Sequence, residues 1–309
     1  MKVTKISFSK LKKANHNGEI FDNESLNKYT TFKIGGKCKF LVVIKTLENF
    51  IKVMDYINDN KIPFFILGNG SNLLVSDSGF NGIVIKFSGD LSEILMKDNM
   101  MECGAGVTLA QAYRKAFDNG LSGFEDGVGI PASIGGATFM NASAYNFEMS
   151  KIIKYVVAFV DGKIRYFDNE SCKFGYRDSI FQHNNGIILR VCFVLEKKEK
   201  DDIQKRFFEV LEKRKNSQPL DFPSAGCVFR KIKDFEVSKC LDECGLKGTY
   251  IGGAMVSEKH ANFIVNFNNA TSKDVYDLIN LMKNTFKCKY LIDLNCEIRF
   301  LGDFDETIG

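Results

Sequence analysis

Histidine is nearly absent from this chain: there are three in 309 residues, far apart at His16, His183 and His260. So thin a set argues against a metal centre built on imidazole, and metal-free chemistry is the expectation. Long apolar runs are missing too. Nothing approaches the roughly 18 consecutive apolar residues that span a bilayer, and Met1–Ile20 carries lysines but no apolar stretch fit for a secretory h-region. Membrane insertion is not expected, and a cytoplasmic location is. Nine cysteines occur, yet none has the paired spacing of a disulfide framework or zinc site. The closest approach, Cys240 and Cys244, is an i, i+4 pair on one helical face, and reduced thiols are the simpler account. Basic runs are limited to local clusters such as Lys197-Lys198 and Lys213-Arg214-Lys215. With a net charge of +4, these read as solvated surface, and nothing resembles a footprint for nucleic acid.

Arginine is scarce in a more selective way, with none before Arg114. A chain that uses lysine for generic surface charge keeps arginine where a planar, permanently charged fork matters. That draws attention to Arg177, Arg214, Arg230 and Arg299, each with a surface ion pair as its plainer reading.

What is present suits a folded protein of two domains, given 45 % hydrophobic and 26 % charged residues and a prior of roughly 100–200 residues per domain. Leu47, Phe50, Ile51, Met54 and Ile57 recur at helical spacing after Thr46, and Pro63 stops that helix. Phe64–Leu67 reads as a buried strand. Thr108 with Gln111 makes a capping-box pattern ahead of Leu109, Ala112, Tyr113, Ala116 and Phe117, with Gly120 as the stop. Tyr155–Val160, Asp161-Gly162 and Lys163–Phe167 look like a hairpin, and Gly186–Glu196 another strand. Helical spacing returns through Ile203, Phe207, Val210 and Leu211, and again after Thr271 and Asp274, through Val275, Leu278, Ile279, Met282 and Phe286. In Leu291–Leu301 a period of two puts Ile292, Leu294, Cys296, Ile298 and Phe300 on one face. Asp293, Asn295, Glu297 and Arg299 then share the other. Such a strand either lines a cleft or exposes an edge. Composition shifts near residue 198, from glycine-rich loops and short strands to lysine-faced helices. The expected division is 1–29, an N-terminal segment; 30–198; and 199–309, with the boundary in the charged stretch Glu196–Asp202.

Two segments invite a ligand. Gly68-Asn69-Gly70-Ser71-Asn72 is either a hairpin turn or a phosphate cradle in which backbone N–H groups face an anion. It is neither a Gly-x-Gly-x-x-Gly opening a helix nor a Walker loop. The second, Gly127–Tyr145, is dominated by Gly, Ala and Ser with Pro131 inside it, a poor helix interior or packed strand. So long a run of small residues suits a flat ligand lying against backbone. Cys227, in Pro223-Ser224-Ala225-Gly226-Cys227, is either a proton donor or a small buried hydrophobe.

A family resemblance runs from Thr30–Gly36 to Glu297-Ile298-Arg299 and includes six segments in order: Gly68–Asn72, Gly129–Tyr145, Tyr176–Phe181, Ser224–Gly226, Gly252–Ala254 and Val256–Ala261. Together they closely resemble the UDP-N-acetylenolpyruvoylglucosamine reductases, flavoenzymes of peptidoglycan precursor synthesis. The short path from Tyr176 to Ser224 resembles the compact form that lacks an inserted tyrosine loop. The resemblance implies an α+β fold. Its FAD-binding region would be of the vanillyl-alcohol-oxidase (PCMH) type in two subdomains, followed by a C-terminal α/β substrate-binding domain. It implies FAD as cofactor, NADPH as co-substrate and a UDP-sugar nucleotide as substrate. By position, Gly68, Asn69, Gly70, Ser71 and Asn72 would cradle the pyrophosphate, with Ile130, Pro131, Gly135, Gly136, Ala137 and Asn141 along the cofactor. Arg177 and Glu297 would stabilise an enolic intermediate, and Cys227 stands where the family usually has a serine proton donor. Tyr145, Arg214, Arg230 and Arg299 would contact substrate. Ala132 and Ser143 replace usual glycines, and the proline that usually follows the Phe229-Arg230 pair is absent. Two rival readings are a flavin oxidase acting on an alcohol and a non-catalytic flavin binder.

Overall fold

Local chemistry accounts for most of the elements. In the computed structural model, which describes residues 6–304, Thr46 caps the helix Leu47–Asp59 by accepting from the Asn49 amide. Phe50, Val53, Met54 and Ile57 are buried along one face. The Thr108–Gln111 capping box is complete ahead of the helix Leu109–Asp118, and Thr271 with Asp274 makes a second one for Ser272–Tyr290. Asp161 and Gly162, both at positive φ, join Ile153–Val160 to Lys163–Asp168 as a two-residue hairpin.

These elements assemble into two units that are interleaved in sequence. One holds the chain up to Asp22, Phe40–Asn69 and Gly82–Lys213; the other holds Asn23–Lys39, Gly70–Asn81 and the chain from Arg214 onward. In the first unit, a five-stranded antiparallel sheet runs in the order Lys163–Asp168, Ile153–Val160, Ile187–Val194, Met100–Gly104, Ile94–Lys97. A core including Met101, Phe124, Ile134, Val156, Phe181 and Phe193 packs there. Its second core surrounds Phe50, Val53, Ile83 and Ile85. The other unit has an antiparallel sheet ordered Ser224–Cys227, Phe263–Asn266, Ala254–Val256, Tyr250–Ile251. Helices Val237–Glu243 and Ser272–Tyr290 contribute Leu241, Leu278, Met282 and Phe286 to its core. The α+β class holds, with a strand-rich first unit.

Four expectations need correction. The chain does not divide once near 198; it passes between units at 22/23, 39/40, 69/70, 81/82 and 213/214. The charged stretch is no linker. Glu196–Lys197 pairs with Leu121–Ser122, and the helix Lys200–Ser217 is tied to the first unit by Arg206–Asp126 (2.6 Å) and by Phe207 stacked 4.7 Å from Tyr113. Phe64–Ile66 is a half-exposed edge strand, parallel to Phe80–Phe87. The small-residue segment does contain a helix, Ile134–Phe139, because Ser133 caps it while the Ile134 and Gly135 amides donate to Val107 and Ala105. Tertiary bonds override propensity there. Finally, the helix before Leu291 runs to Tyr290, and only Arg299–Leu301 is a strand, parallel to Leu73–Val75. The alternation survives in part. Leu294 and Ile298 are buried, whereas Phe300 is 37 % exposed, against the rings of Tyr276 and Phe304.

Candidate active site

The Gly68–Asn72 bend is not a hairpin. The strand before it pairs with Phe80–Phe87 and the strand after it with Arg299–Leu301, so its glycines serve close approach rather than a two-strand turn. In the first unit, a Cβ on Gly68 would lie 2.4 Å from Ser133 Oγ. Two glycine-rich segments 65 positions apart therefore meet with no room for a side chain. Lys86 Nζ donates to the Gly68 carbonyl at 2.8 Å, and burial holds its ammonium below the usual lysine range. Gly135 is as tightly placed, its notional Cβ 2.8 Å from that of Ala105. Gly136 and Pro131 are exposed, Ile130 is half-buried and Ala137 is buried. Backbone laid bare by glycine beside a partly desolvated cation fits a pyrophosphate, so the residues present suit FAD.

Asn141 lies at the far end of this segment and is 2 % exposed. Its amide donates to Glu148 Oε1 and to the Gly175 carbonyl, both at 2.9 Å, and accepts from the Ser150 amide at 3.0 Å. That side chain is spent on fixing the loop. Arg177 adopts φ +55°, unusual for a non-glycine residue. Its Nη1 donates to Ser143 Oγ (2.9 Å) and to the Ser143 carbonyl (3.2 Å). Ser143 thus accepts from this guanidinium twice, through its hydroxyl and its carbonyl. Tyr145 sits at the tip of the short Ser143-Ala144/Phe147-Glu148 ladder, at φ +54° and 45 % exposed.

In the second unit, the chain brings Cys227 and Glu297 to neighbouring backbone positions. Glu297 N donates to the Val228 carbonyl at 2.7 Å, Phe229 and Cys296 form a bridge, and Arg230 N donates to the Asn295 carbonyl at 2.9 Å. Cys227, Glu297 and Arg230 are all half-buried. Asn72 clasps the same segment from the other side. Its Nδ2 donates to the Glu297 carbonyl at 3.0 Å, and its own carbonyl accepts from Arg299 N at 3.1 Å. Gly70 is at φ +60°, with no space for a Cβ beside the Tyr29 carbonyl. Thr31 joins it to the Cys227 strand, its Oγ1 donating to the Ser224 carbonyl at 2.7 Å and its N–H to the Gly70 carbonyl. Arg299 is exposed. Arg214, in contrast, is 5 % exposed and donates to Gln218 Oε1 at 3.0 Å.

Sequence reasoning missed several supports. Lys86 had a signal, a lone lysine inside Ile83–Phe87. Asn262 had little, yet it holds both polar groups of Phe229, accepting from its N–H and donating to its carbonyl, each at 2.9 Å. Burial lowers the pKa of His260, whose Nδ1 accepts from the Asn262 amide at 3.2 Å. Among the described residues, no group of three His, Cys, Asp or Glu side chains gathers as metal ligands. No helix there is long and apolar enough to cross a membrane.

Known families and proteins match this chain over most of its length. The family described as FAD binding domain matches residues 38–166. The family described as UDP-N-acetylenolpyruvoylglucosamine reductase, C-terminal domain, matches residues 218–301. The chain is 39 % identical over 302 residues to the UDP-N-acetylenolpyruvoylglucosamine reductase of Caldanaerobacter subterraneus subsp. tengcongensis, covering 97 % of this chain and 100 % of that one. It is 40 % identical over 286 residues to the same-named protein of Clostridium botulinum (strain Alaska E43 / Type E3), with 92 % and 94 % covered. The crystal structure of UDP-N-acetylenolpyruvylglucosamine reductase from Thermus caldophilus is similar at a TM-score of 0.79 and 35 % identity, over 93 % of this chain and 99 % of that one.

Proposed function

Because the chain belongs to the UDP-N-acetylenolpyruvoylglucosamine reductase family, FAD-binding oxidoreductases, we propose that it uses NADPH to reduce the enolpyruvyl sugar nucleotide to UDP-N-acetylmuramate. FAD, when bound, would supply the two-electron hydride chemistry of this reduction, with NADPH as the source of the electrons. The protein supplies orientation, charge and a proton. Gly68, Ser71 and the Ile130–Ala137 segment would hold the cofactor against backbone.

Hydride addition leaves negative charge shared between the adjacent carbon and the substrate carboxylate. Arg177, permanently charged and held by Ser143, would offset the charge on that carboxylate. The Cys227 thiol would give its proton to the carbon, so that hydride and proton together saturate the double bond; the resulting thiolate is reprotonated from water. Glu297 would help stabilise the enolic intermediate; Tyr145, Arg230 and Arg299 would contact substrate.

The observation that carries this reading is the backbone pairing of residues 228–230 with 295–297, which sets Cys227 next to Val228, the backbone partner of Glu297. It is tested by anaerobic spectra of the purified flavoprotein. NADPH should bleach the flavin, and the enolpyruvyl sugar nucleotide should restore its oxidised spectrum. Bleaching without recovery would keep a flavoreductase and discard this substrate. No bleaching by NADPH would favour a non-catalytic flavin binder.

A further inference from the structure

Arg177 is held in a backbone conformation that its own side chain disfavours, so its surroundings must impose it. Gly175 and Asp178 exchange backbone hydrogen bonds across the turn, at 3.1 and 3.2 Å. Asn141 takes the Gly175 carbonyl at 2.9 Å. Gln182 completes the knot: its Nε2 donates to the Arg177 carbonyl at 3.0 Å and to the Phe139 carbonyl at 2.9 Å. Phe139 ends the helix Ile134–Phe139, where last-turn carbonyls lack an intrahelical partner, and Ser179 Oγ donates to the same oxygen at 2.7 Å. One amide group thus links the helix that carries Gly135–Ala137 to the backbone of Arg177.

We propose that Gln182 is a positioning residue for Arg177. It fixes the left-handed turn from the backbone side, as Ser143 fixes the guanidinium, and ties both to the glycine-rich segment expected along the cofactor. This rests on the function proposed above for its kinetic consequence, though not for its structural one. Gln182 half-buries between two carbonyls and brings no acid, base or charge, so its loss should move geometry and leave chemistry otherwise intact.

The distinguishing variants are Gln182→Leu, which keeps bulk and removes both donors, and Gln182→Lys, whose ammonium can donate to both oxygens. In FAD-loaded Gln182→Leu, bleaching by NADPH should stay within about twofold of wild type. Reoxidation by the enolpyruvyl sugar nucleotide should slow by about 10- to 100-fold, the scale expected when a catalytic group is displaced by about 1 Å. Gln182→Lys should recover most of that loss. Hydrogen exchange gives a readout independent of turnover. The Asp178 amide, bonded to Gly175, should lose protection in Gln182→Leu and regain it in Gln182→Lys. If Gln182→Leu does not fold, Gln182→Asn, too short to reach both carbonyls, should show the same split.

Unchanged reoxidation together with unchanged Asp178 protection would overturn the proposal. So would an equal fall in both half-reactions with loss of bound FAD, which marks a general structural role. If the wild-type flavin is not reoxidised by this substrate, the function proposed above fails, and amide exchange alone still decides the role of Gln182.

Discussion

Cysteine at position 227 differs from the chain's buried thiols in where it is placed. Cys38, Cys103 and Cys172 are fully buried, and burial pushes them up to about 11, about 12 and about 12 respectively. They stay protonated and unreactive at neutral pH. Cys227 is half-buried at the end of its strand. Iodoacetamide should therefore inactivate the enzyme, with the sugar nucleotide protecting, and peptide mass spectrometry should place the protected label on Cys227. Cys227→Ser should keep substantial turnover and lose the sensitivity. Cys227→Ala should lower kcat by about 100- to 10,000-fold, the usual reach of a positioned acid. Full activity after stoichiometric labelling of Cys227 would exclude it as proton donor. At the same scale, Asn141 and Asn72 stand out in the sequence only as members of two segments rich in small residues. Their amides are spent on the chain itself, and only partners supplied by the fold show that.

At the scale of elements, caps and turns were read correctly because each is encoded within a few residues: Thr108 with Gln111, Thr271 with Asp274, Asp161 with Gly162. Pairing was not, since the strand Leu73–Val75 joins Arg299–Leu301, more than 200 positions away. The strand Met100–Gly104 carries a prediction of its own. Cys103 is pushed up to about 12 from 9.0 by burial and, secondarily, by Cys192 and Glu102. The folded chain therefore holds this proton more tightly than the unfolded chain does. Its contribution to stability is complete below about pH 9 and is lost as pH rises towards 12. Between pH 8 and pH 10 the urea midpoint of wild type should fall further than that of Cys103→Ala. Parallel falls in the two proteins would show that this thiol is not responsible.

For the whole molecule, interleaving has a consequence for dissection. The core of the second unit includes Phe32, Ile34 and Leu74 as well as Leu278, Met282 and Phe286. A fragment beginning at Arg214 keeps the helices and the four-stranded sheet. It loses those three buried side chains, and its last strand loses its partner. Removing buried phenylalanine and leucine side chains costs about 2–5 kcal/mol each, against total stabilities of about 5–15 kcal/mol. The fragment 214–304 should therefore lack dispersed amide NMR signals and a cooperative thermal transition, whereas the full chain should show both. A cooperatively folded fragment would show that the buried N-terminal residues are dispensable.

Several features were set by sequence alone: the class of fold, the helices that open at Thr46, Thr108 and Thr271, the hairpin, and the family with its FAD-binding domain. Each rests on local chemistry or on the order of short segments, both of which survive being written in one dimension. The tertiary structure alone decided where the chain changes units, that Gly68 meets Ser133, that Glu297 pairs with Val228, and that Gln182 and Ser143 hold Arg177 at its two ends. All of these are contacts between distant positions. Such contacts depend on which surfaces bury together, and no periodicity within a window of sequence records that.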